Sequence, residues 1–138
     1  MNLIVEKAQT PTPLTILKIQ GDLDGSSYQS LIKKAQELYD SGVRRLLLDV
    51  SEMPFMSSAG LVGLHTVVTV MHGQQPPDME GGWSVIHEIT HNMDTQVTFD
   101  PNCKLLQPQP RVQKTLDITG FSSIIEVFTD RETAVASF

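Results

Sequence analysis

Residues 45–71 read RLLLDVSEMPFMSSAGLVGLHTVVTVM, and this stretch contains a strand pattern, a turn pattern and a helix pattern in succession. The apolar run at 46–50 is nearly unbroken, as is typical of a parallel strand that is covered on both faces. A turn is expected next, because Pro54 lacks the N–H that a strand ladder needs. Apolar residues then recur at helical spacing over 61–71, which predicts a helix with a wide buried face.

Two adjacent serines precede this helix, which is expected to begin near Ser57 or Ser58. Either hydroxyl could cap the helix by accepting a backbone N–H from its first turn, and capping alone would explain a serine here. Ala59 and Gly60 are small enough to let the backbone be approached closely. Because ligands collect at the carboxyl ends of strands in open α/β sheets, the two hydroxyls also mark a candidate functional site.

Segment 46–61, LLLDVSEMPFMSSAGL, resembles the signature of the STAS domain, as found in bacterial anti-sigma factor antagonists. In that family a strand ending in an Asp-containing turn leads to a serine at a helix N-terminus, and a partner serine kinase phosphorylates that serine. The resemblance implies that Ser58 is the phosphorylation site. The family often has Asp before this serine and a second Ser after it, whereas this chain has Ser57 and Ala59, so Ser57 is an alternative acceptor.

A polar turn, GDLDGSS at 21–27, follows the second predicted strand. Asp22 and Asp24 have a local explanation there, since Asp favours turns and helix caps. The resemblance implies in addition that the Gly-x-x-Asp pattern formed by Gly21 and Asp24 helps build a kinase-facing surface near Ser58, where an acidic group would repel a phosphoserine. The predicted partner-binding residues are Gly21, Asp22, Asp24, Ser57, Ser58, Ala59 and Gly60.

The rest of the chain completes an alternation of strands and helices. Further strands are predicted at 2–7, 14–20, 104–107 and 124–128, and further helices at 28–39, from Pro110 to Thr119 and after Asp130. The run 110–138 also resembles the STAS ending, in which a helix closing in a Thr-Gly turn precedes a strand and a last helix. The order predicts an α/β fold, a STAS-like and mostly parallel mixed sheet of about five strands with four helices and right-handed crossovers.

Length and charge restrict the function classes. The 138 residues predict a single domain, 1–138, that can bury its own core. A net charge of −6 with scattered basic residues disfavours a nucleic-acid partner. The single Cys103 fits a reducing compartment, and neither a signal peptide nor a membrane span is recognisable. We therefore expect a cytoplasmic protein with no membrane partner and no cofactor.

The regular alternation fails at about 73–102, which by comparison with the family is an insertion. It contains the segment HEITH at 87–91, a literal match to the zinc-protease pattern. On a helix, His87 and His91 would share a face and could bind one Zn²⁺, leaving Glu88 as the general base.

Catalytic zinc needs a third protein ligand, and the nearby candidates are His72, Asp94 and Asp100. A five-residue pattern without its structural context is weak evidence, so we expect ordinary loop residues and no metal at this segment.

Three hypotheses of function follow from these patterns. The first is a phosphorylation-controlled binding switch, not an enzyme, whose partner is a serine-kinase anti-sigma factor or a related switch kinase. The second is a zinc-binding or metallohydrolase-like protein that uses the HEITH segment. The third is a STAS module that senses a small ligand. A serine hydrolase built on Ser58 is disfavoured, because no Gly-x-Ser-x-Gly turn surrounds it.

Overall fold

The computed structural model describes residues 1–8, 13–71, 73 and 102–138. Within these ranges one five-stranded sheet carries four α-helices and a single 3-10 turn. The elements are β1 (Asn2–Ala8), β2 (Leu14–Gln20), α1 (Tyr28–Asp40), β3 (Leu46–Glu52), α2 (Ser58–Met71), β4 (Cys103–Leu106), α3 (Pro110–Thr119), the 3-10 turn (Phe121–Ser123), β5 (Glu126–Phe128) and α4 (Arg131–Ala136). This order confirms the predicted alternation.

The sheet has the strand order β1-β2-β3-β4-β5 and is mostly parallel. Strand β1 runs antiparallel to β2 as a hairpin, with Asn2 opposite Gln20. The other three pairs are parallel, with Leu46 of β3 opposite Cys103 of β4. The predicted mixed sheet is thereby confirmed, and the carboxyl ends of β2, β3 and β4 lie along one edge.

Helices cover both faces of the sheet, which explains why β3 is apolar on both sides. Helices α1, α2 and α3 pack on one face, where they form the main core with the β2, β3 and β4 side chains that point toward them. Helix α4 covers the other face, and Ala134 lies there in a smaller cluster with Leu47 and Leu106. Ten of the 14 residues of α2 are buried, in agreement with the wide apolar face predicted for this helix.

Strand β3 is longer than predicted and strand β4 is displaced by one residue. Glu52 stays in β3 because its backbone carbonyl accepts a hydrogen bond from the Gly21 N–H at 3.0 Å, and its carboxylate pairs with Lys18 at 2.7 Å. Strand β4 ends at Leu106, because Gln107 has a φ of 54° and leaves the extended conformation.

The last strand is shorter than the predicted 124–128. Ile124 and Ile125 read as strand residues because they are apolar, but both amides donate to the Phe121 carbonyl, at 3.0 and 3.3 Å. The chain therefore turns at this point, and the two isoleucines enter the main core from a turn. The final helix agrees with the prediction, since the Asp130 carboxylate caps it by accepting the Thr133 N–H at 2.9 Å.

His65 is a part-buried imidazole, and we expect its protonation to affect the stability of the fold. It lies part-buried on α2 with its ring edge against Phe121, and its Nδ1 has no hydrogen-bond partner among the described residues. Burial lowers the pKa of His65 below its ordinary value of 6.5, so near and below that pH the unfolded chain binds the proton more tightly than the folded chain. The free energy of unfolding therefore has its full value above about pH 6.5. It decreases as the pH falls from there through the lowered pKa of His65.

We expect the free energy of unfolding to fall between about pH 7.5 and 5.5, with His65 contributing at most about 1.4 kcal/mol per pH unit. Urea titrations at the two pH values measure this fall. His65→Leu should show a smaller fall than the parent protein, and an equal fall in both proteins would contradict the assignment to His65.

Candidate functional site

Two loops meet where β2 and β3 end, and they carry most of the predicted site. The loop 21–27 follows β2, and the loop 53–57 follows β3. They are joined by an isolated parallel bridge between Leu23 and Met56, in which the Leu23 N–H donates to the Phe55 carbonyl at 3.0 Å and the Ser57 N–H donates to the Leu23 carbonyl at 2.9 Å. Strand-like pairing thus continues past the ends of both strands and holds the loops together.

Apolar side chains anchor both loops in the core. Leu23 and Met53 are completely buried, and Met56 is 3% exposed. Between the two methionines, Pro54 and Phe55 point outward, and Phe55 is 37% exposed. Because the buried methionines fix the loop on both sides, Pro54 and Phe55 are held at the surface.

The two serines at the start of α2 have different roles. Ser57 is the cap, since its hydroxyl accepts the Gly60 N–H at 3.1 Å and its carbonyl accepts the Leu61 N–H at 2.9 Å. Ser58 is the first residue of the helix and is exposed, and its hydroxyl has no hydrogen-bond partner within the described ranges. The sequence left both serines as possible caps, and the structure distinguishes them.

Gly60 is required by close contact between the two loops. A Cβ at this position would collide with the Leu23 carbonyl oxygen and would lie 2.8 Å from its carbonyl carbon. Gly60 is itself buried, and its lack of a side chain lets the two loops approach each other. Close by, a Cβ added at Gly25 would meet only the Ala59 side chain, at an ordinary 3.9 Å.

Asp24 builds the β2–α1 loop, in agreement with the local explanation of its position. Its Oδ1 accepts hydrogen bonds from the Ser26 hydroxyl at 2.6 Å and from the Ser26 N–H at 2.9 Å. The Ser26 hydroxyl and then its N–H lower the pKa of the Asp24 carboxyl, so Asp24 is a stable negative charge. Asp22 in the same loop is exposed, and its carbonyl accepts the Ser27 hydroxyl at 2.9 Å.

The loops bring together the predicted residues of the β2–α1 turn and of the start of α2. Gly21 begins the first loop with a φ of 105°, a conformation that side chains other than glycine seldom adopt. The resulting surface combines the exposed Asp22, the ionised Asp24 and the exposed Ser58. That this surface binds a partner stays a prediction.

Three further residues at the same sheet edge, Phe55, Gln109 and Arg111, were not predicted from the sequence. The guanidinium of Arg111 lies 5.3 Å from the centre of the Phe55 ring, and the Gln109 side-chain amide donates to the Ser51 carbonyl at 2.9 Å. These contacts tie the start of α3 to the end of β3. Phe55 is the one aromatic residue of the loop 53–57, MPFMS, and the sequence contains no other signal for it. Nothing in the sequence pointed to Arg111 or Gln109.

The alternative metal site involves residues that the structure does not describe. His87, Glu88 and His91 lie outside the described residues, so the zinc pattern stays untested, as does the predicted insertion at about 73–102. In the described part of the chain, no group of three His, Cys, Asp or Glu side chains is arranged to hold a metal ion. None of the helices in these ranges is long and apolar enough to cross a bilayer.

The different roles of the two serines lead to a stability prediction. Ser57→Ala should lower the free energy of unfolding by about 1 kcal/mol, because it removes the cap of α2. Ser58→Ala should change it by less than about 0.5 kcal/mol, because this hydroxyl is exposed and unpaired within the described ranges. Urea denaturation of both variants measures the difference, and a larger loss for Ser58→Ala would contradict the capping assignment.

Fold and site together define a STAS domain protein. A family model for the STAS domain matches residues 5–74, which is just over half of the 138 residues. The chain therefore belongs to the STAS domain family, and the resemblance seen in the sequence is confirmed.

Relatives of this chain are named as anti-sigma factor antagonists. BtrV of Bordetella bronchiseptica, classed with them by its name, is 26% identical over 125 residues, which cover 91% of this chain and 86% of BtrV. A crystal structure of a Thermotoga maritima protein that is classed in the same way has a TM-score of 0.69 at 13% identity, covering 97% of this chain and 92% of that one.

The anti-sigma factor antagonist SpoIIAA has been solved in two states, and both are similar to this chain. The unphosphorylated form gives a TM-score of 0.57 at 16% identity, covering 97% of this chain and 93% of that one. The phosphorylated form from Bacillus gives a TM-score of 0.52 at 13% identity, covering 96% and 97%. At this level of identity the likeness establishes a common fold.

Proposed function

We propose that this protein is an anti-sigma factor antagonist whose binding to a partner is controlled by phosphorylation of Ser58. The proposed partner is a serine-kinase anti-sigma factor or a related switch kinase, and the proposed location is the cytoplasm. The observation that carries the proposal is the placement of Ser58, exposed and unpaired among the described residues at the first position of α2, while Ser57 beside it is engaged as the cap.

The first turn of α2 can accept a phosphate without unfolding. Phosphorylation adds roughly 1.5 to 2 negative charges at pH 7, and a helix N-terminus favours an anion through its dipole and its free N–H groups. No acidic residue lies in this turn, and the amides of Ser58 and Ala59 have no backbone acceptor in the described part of the chain. The fold should therefore survive modification.

The surface around Ser58 would change its charge strongly on phosphorylation. Asp24 is ionised and Asp22 is exposed in the loop that is bridged to the Ser58 loop. A phosphoserine added beside these carboxylates concentrates negative charge on one surface, which opposes the docking of any partner that fits the unmodified surface. This is the property that a reversible binding switch needs.

The comparisons support a regulatory binding protein as the general class. STAS anti-sigma factor antagonists act by binding other proteins and are not enzymes. BtrV and the Thermotoga protein carry that name, and SpoIIAA keeps the fold in its unphosphorylated and phosphorylated forms. A fold that is retained in both forms of a structural neighbour is consistent with a switch that acts at the surface.

The test is native mass spectrometry of the protein purified from its own cells, with fragmentation to locate any modification. We expect a fraction of molecules with one phosphate, placed on Ser58. Phosphate placed only on Ser57 would make the alternative acceptor correct. Stoichiometric zinc with no phosphate in any growth phase would overturn the proposal and favour the HEITH segment as the active part.

A further inference from the structure

A cleft of about 530 Å³ opens at the end of the sheet opposite Ser58. It lies where β1 ends, where β2 and β3 begin, and beside the loop that follows α1. Because β2 and β3 run parallel and are seven residues long, the cleft is about 20 Å from the loops that carry the proposed phosphorylation site. Its volume is within the range of sites for small molecules.

The charged residues among the described lining of the cleft are all basic, although the chain as a whole carries a charge of −6. Lys7, Arg44 and Arg45 are among its lining residues, and the described lining contains no acidic residue. Arg44 is held in place, since its guanidinium donates to the Tyr39 carbonyl at 2.8 Å and lies 3.8 Å from the centre of the Tyr39 ring. Lys7 and Arg45 form no ion pair within the described ranges.

A hydroxyl group lies next to these charges. Thr15 is 6% exposed as a residue, lines the cleft and stands opposite Lys7 in the β1–β2 ladder. Its side chain points to the same face of the sheet as Leu17, two residues along the strand. Among the described residues no group accepts a hydrogen bond from the Thr15 hydroxyl or donates one to it, so this hydroxyl can donate a hydrogen bond to a ligand in the cleft.

Apolar side chains also line the cleft. Val5, Leu38 and Val43 are among its lining residues, and Val5 is 40% exposed. Arginine side chains bind phosphate and carboxylate groups through paired N–H donors, whereas apolar side chains favour a hydrocarbon group. A ligand that matches both parts of the lining is an anion that carries an apolar substituent.

We propose that this cleft binds a small organic anion with an apolar substituent, such as a phosphate monoester. Arg45 and Lys7 hold the anionic group, the Thr15 hydroxyl donates a hydrogen bond to it, and Val5 and Val43 contact the apolar substituent. The proposal does not depend on phosphorylation of Ser58, because the cleft lies at the other end of the sheet and shares none of its residues with the loops around Ser58.

The test is a titration of the ¹⁵N-labelled full chain with phenyl phosphate, followed by amide chemical shifts at about 150 mM NaCl, where surface charges are largely screened. We expect saturable shifts at the amides of residues 41–45 and 7–8. Inorganic phosphate and benzyl alcohol should each bind more weakly, since the first lacks the apolar substituent and the second lacks the anionic group. Equal binding of either probe would overturn the assigned ligand class.

Matched variants test the assigned contacts. Arg45→Gln should weaken phenyl phosphate binding by about tenfold or more, as expected for one charge-assisted hydrogen bond. Lys33→Gln removes the same charge from an exposed position on α1 and should leave binding unchanged. Thr15→Val, which is close in size, gives a second test if Arg45→Gln does not fold. Equal weakening in Arg45→Gln and Lys33→Gln, or shifts that are not saturable, would overturn the proposal.

Discussion

Replacing Ser58 with alanine should abolish phosphate transfer to this protein while leaving its fold and its partner binding intact. The Ser58 hydroxyl is exposed and has no hydrogen-bond partner within the described ranges, so its loss removes the proposed acceptor and no structural contact. The expected result is complete loss of the phosphorylated fraction in protein purified from cells that carry Ser58→Ala in place of the parent. Intact-mass spectrometry measures this fraction.

Ser57→Ala is the matched control for this experiment. It removes an adjacent hydroxyl that caps α2 through the Gly60 N–H, so we expect lower stability but retained phosphorylation. Both variants should be compared at a temperature at which both are folded, as shown by circular dichroism. Phosphate at the parent level on Ser58→Ala would overturn the assignment, and loss of phosphate from Ser57→Ala alone would move the acceptor to Ser57.

A phosphate mimic extends the same prediction to binding. Ser58→Asp places a negative charge at the first position of α2, where the helix dipole favours it by roughly 0.3 to 1 kcal/mol. We therefore expect Ser58→Asp to be at least as stable as the parent protein. It should bind the partner more weakly than Ser58→Ala does, because the charge lies beside the loop that carries Asp22 and Asp24.

The second large effect is expected at Gly60. Alanine normally stabilises a helix relative to glycine by up to about 1 kcal/mol, so a gain would be expected from the sequence alone. Here the added Cβ would collide with the Leu23 carbonyl oxygen, which also accepts the Ser57 N–H. The overlap is with backbone that is already hydrogen-bonded and cannot move away freely. Gly60→Ala should therefore lower the free energy of unfolding by about 3 kcal/mol, at the upper end of the usual range for overpacking.

Gly25→Ala is the matched control for Gly60→Ala. It makes the same chemical change in the facing loop, where the added Cβ would meet only Ala59 at 3.9 Å. We expect the stability of Gly25→Ala to stay within about 0.5 kcal/mol of that of the parent protein. Urea unfolding of both variants measures the two changes. Similar stability for Gly60→Ala and the parent protein would show that the loops are not in close contact.

Local pattern in the sequence was sufficient for the order and type of most elements. The nearly unbroken apolar run of β3, the helical spacing in α2 and the Thr-Gly turn that closes α3 are properties of neighbouring residues, and such properties can be read along the chain. The same patterns carried the resemblance to the STAS family. They failed at Ile124 and Ile125, where an apolar pair reads as a strand although its amides donate to Phe121.

The tertiary structure decided the features that the sequence pattern left open or did not contain. Ser57 and Ser58 are equivalent in a capping pattern, and only the bond from Gly60 to Ser57 shows which hydroxyl is occupied. The need for glycine at position 60 comes from the Leu23 carbonyl, which lies 37 residues earlier in the chain. The cationic cleft likewise combines Lys7, Thr15 and Arg45 from three separate segments. Sequence periodicity describes which face of an element is buried, but it contains no information on which distant backbone atom or charge will lie against that face.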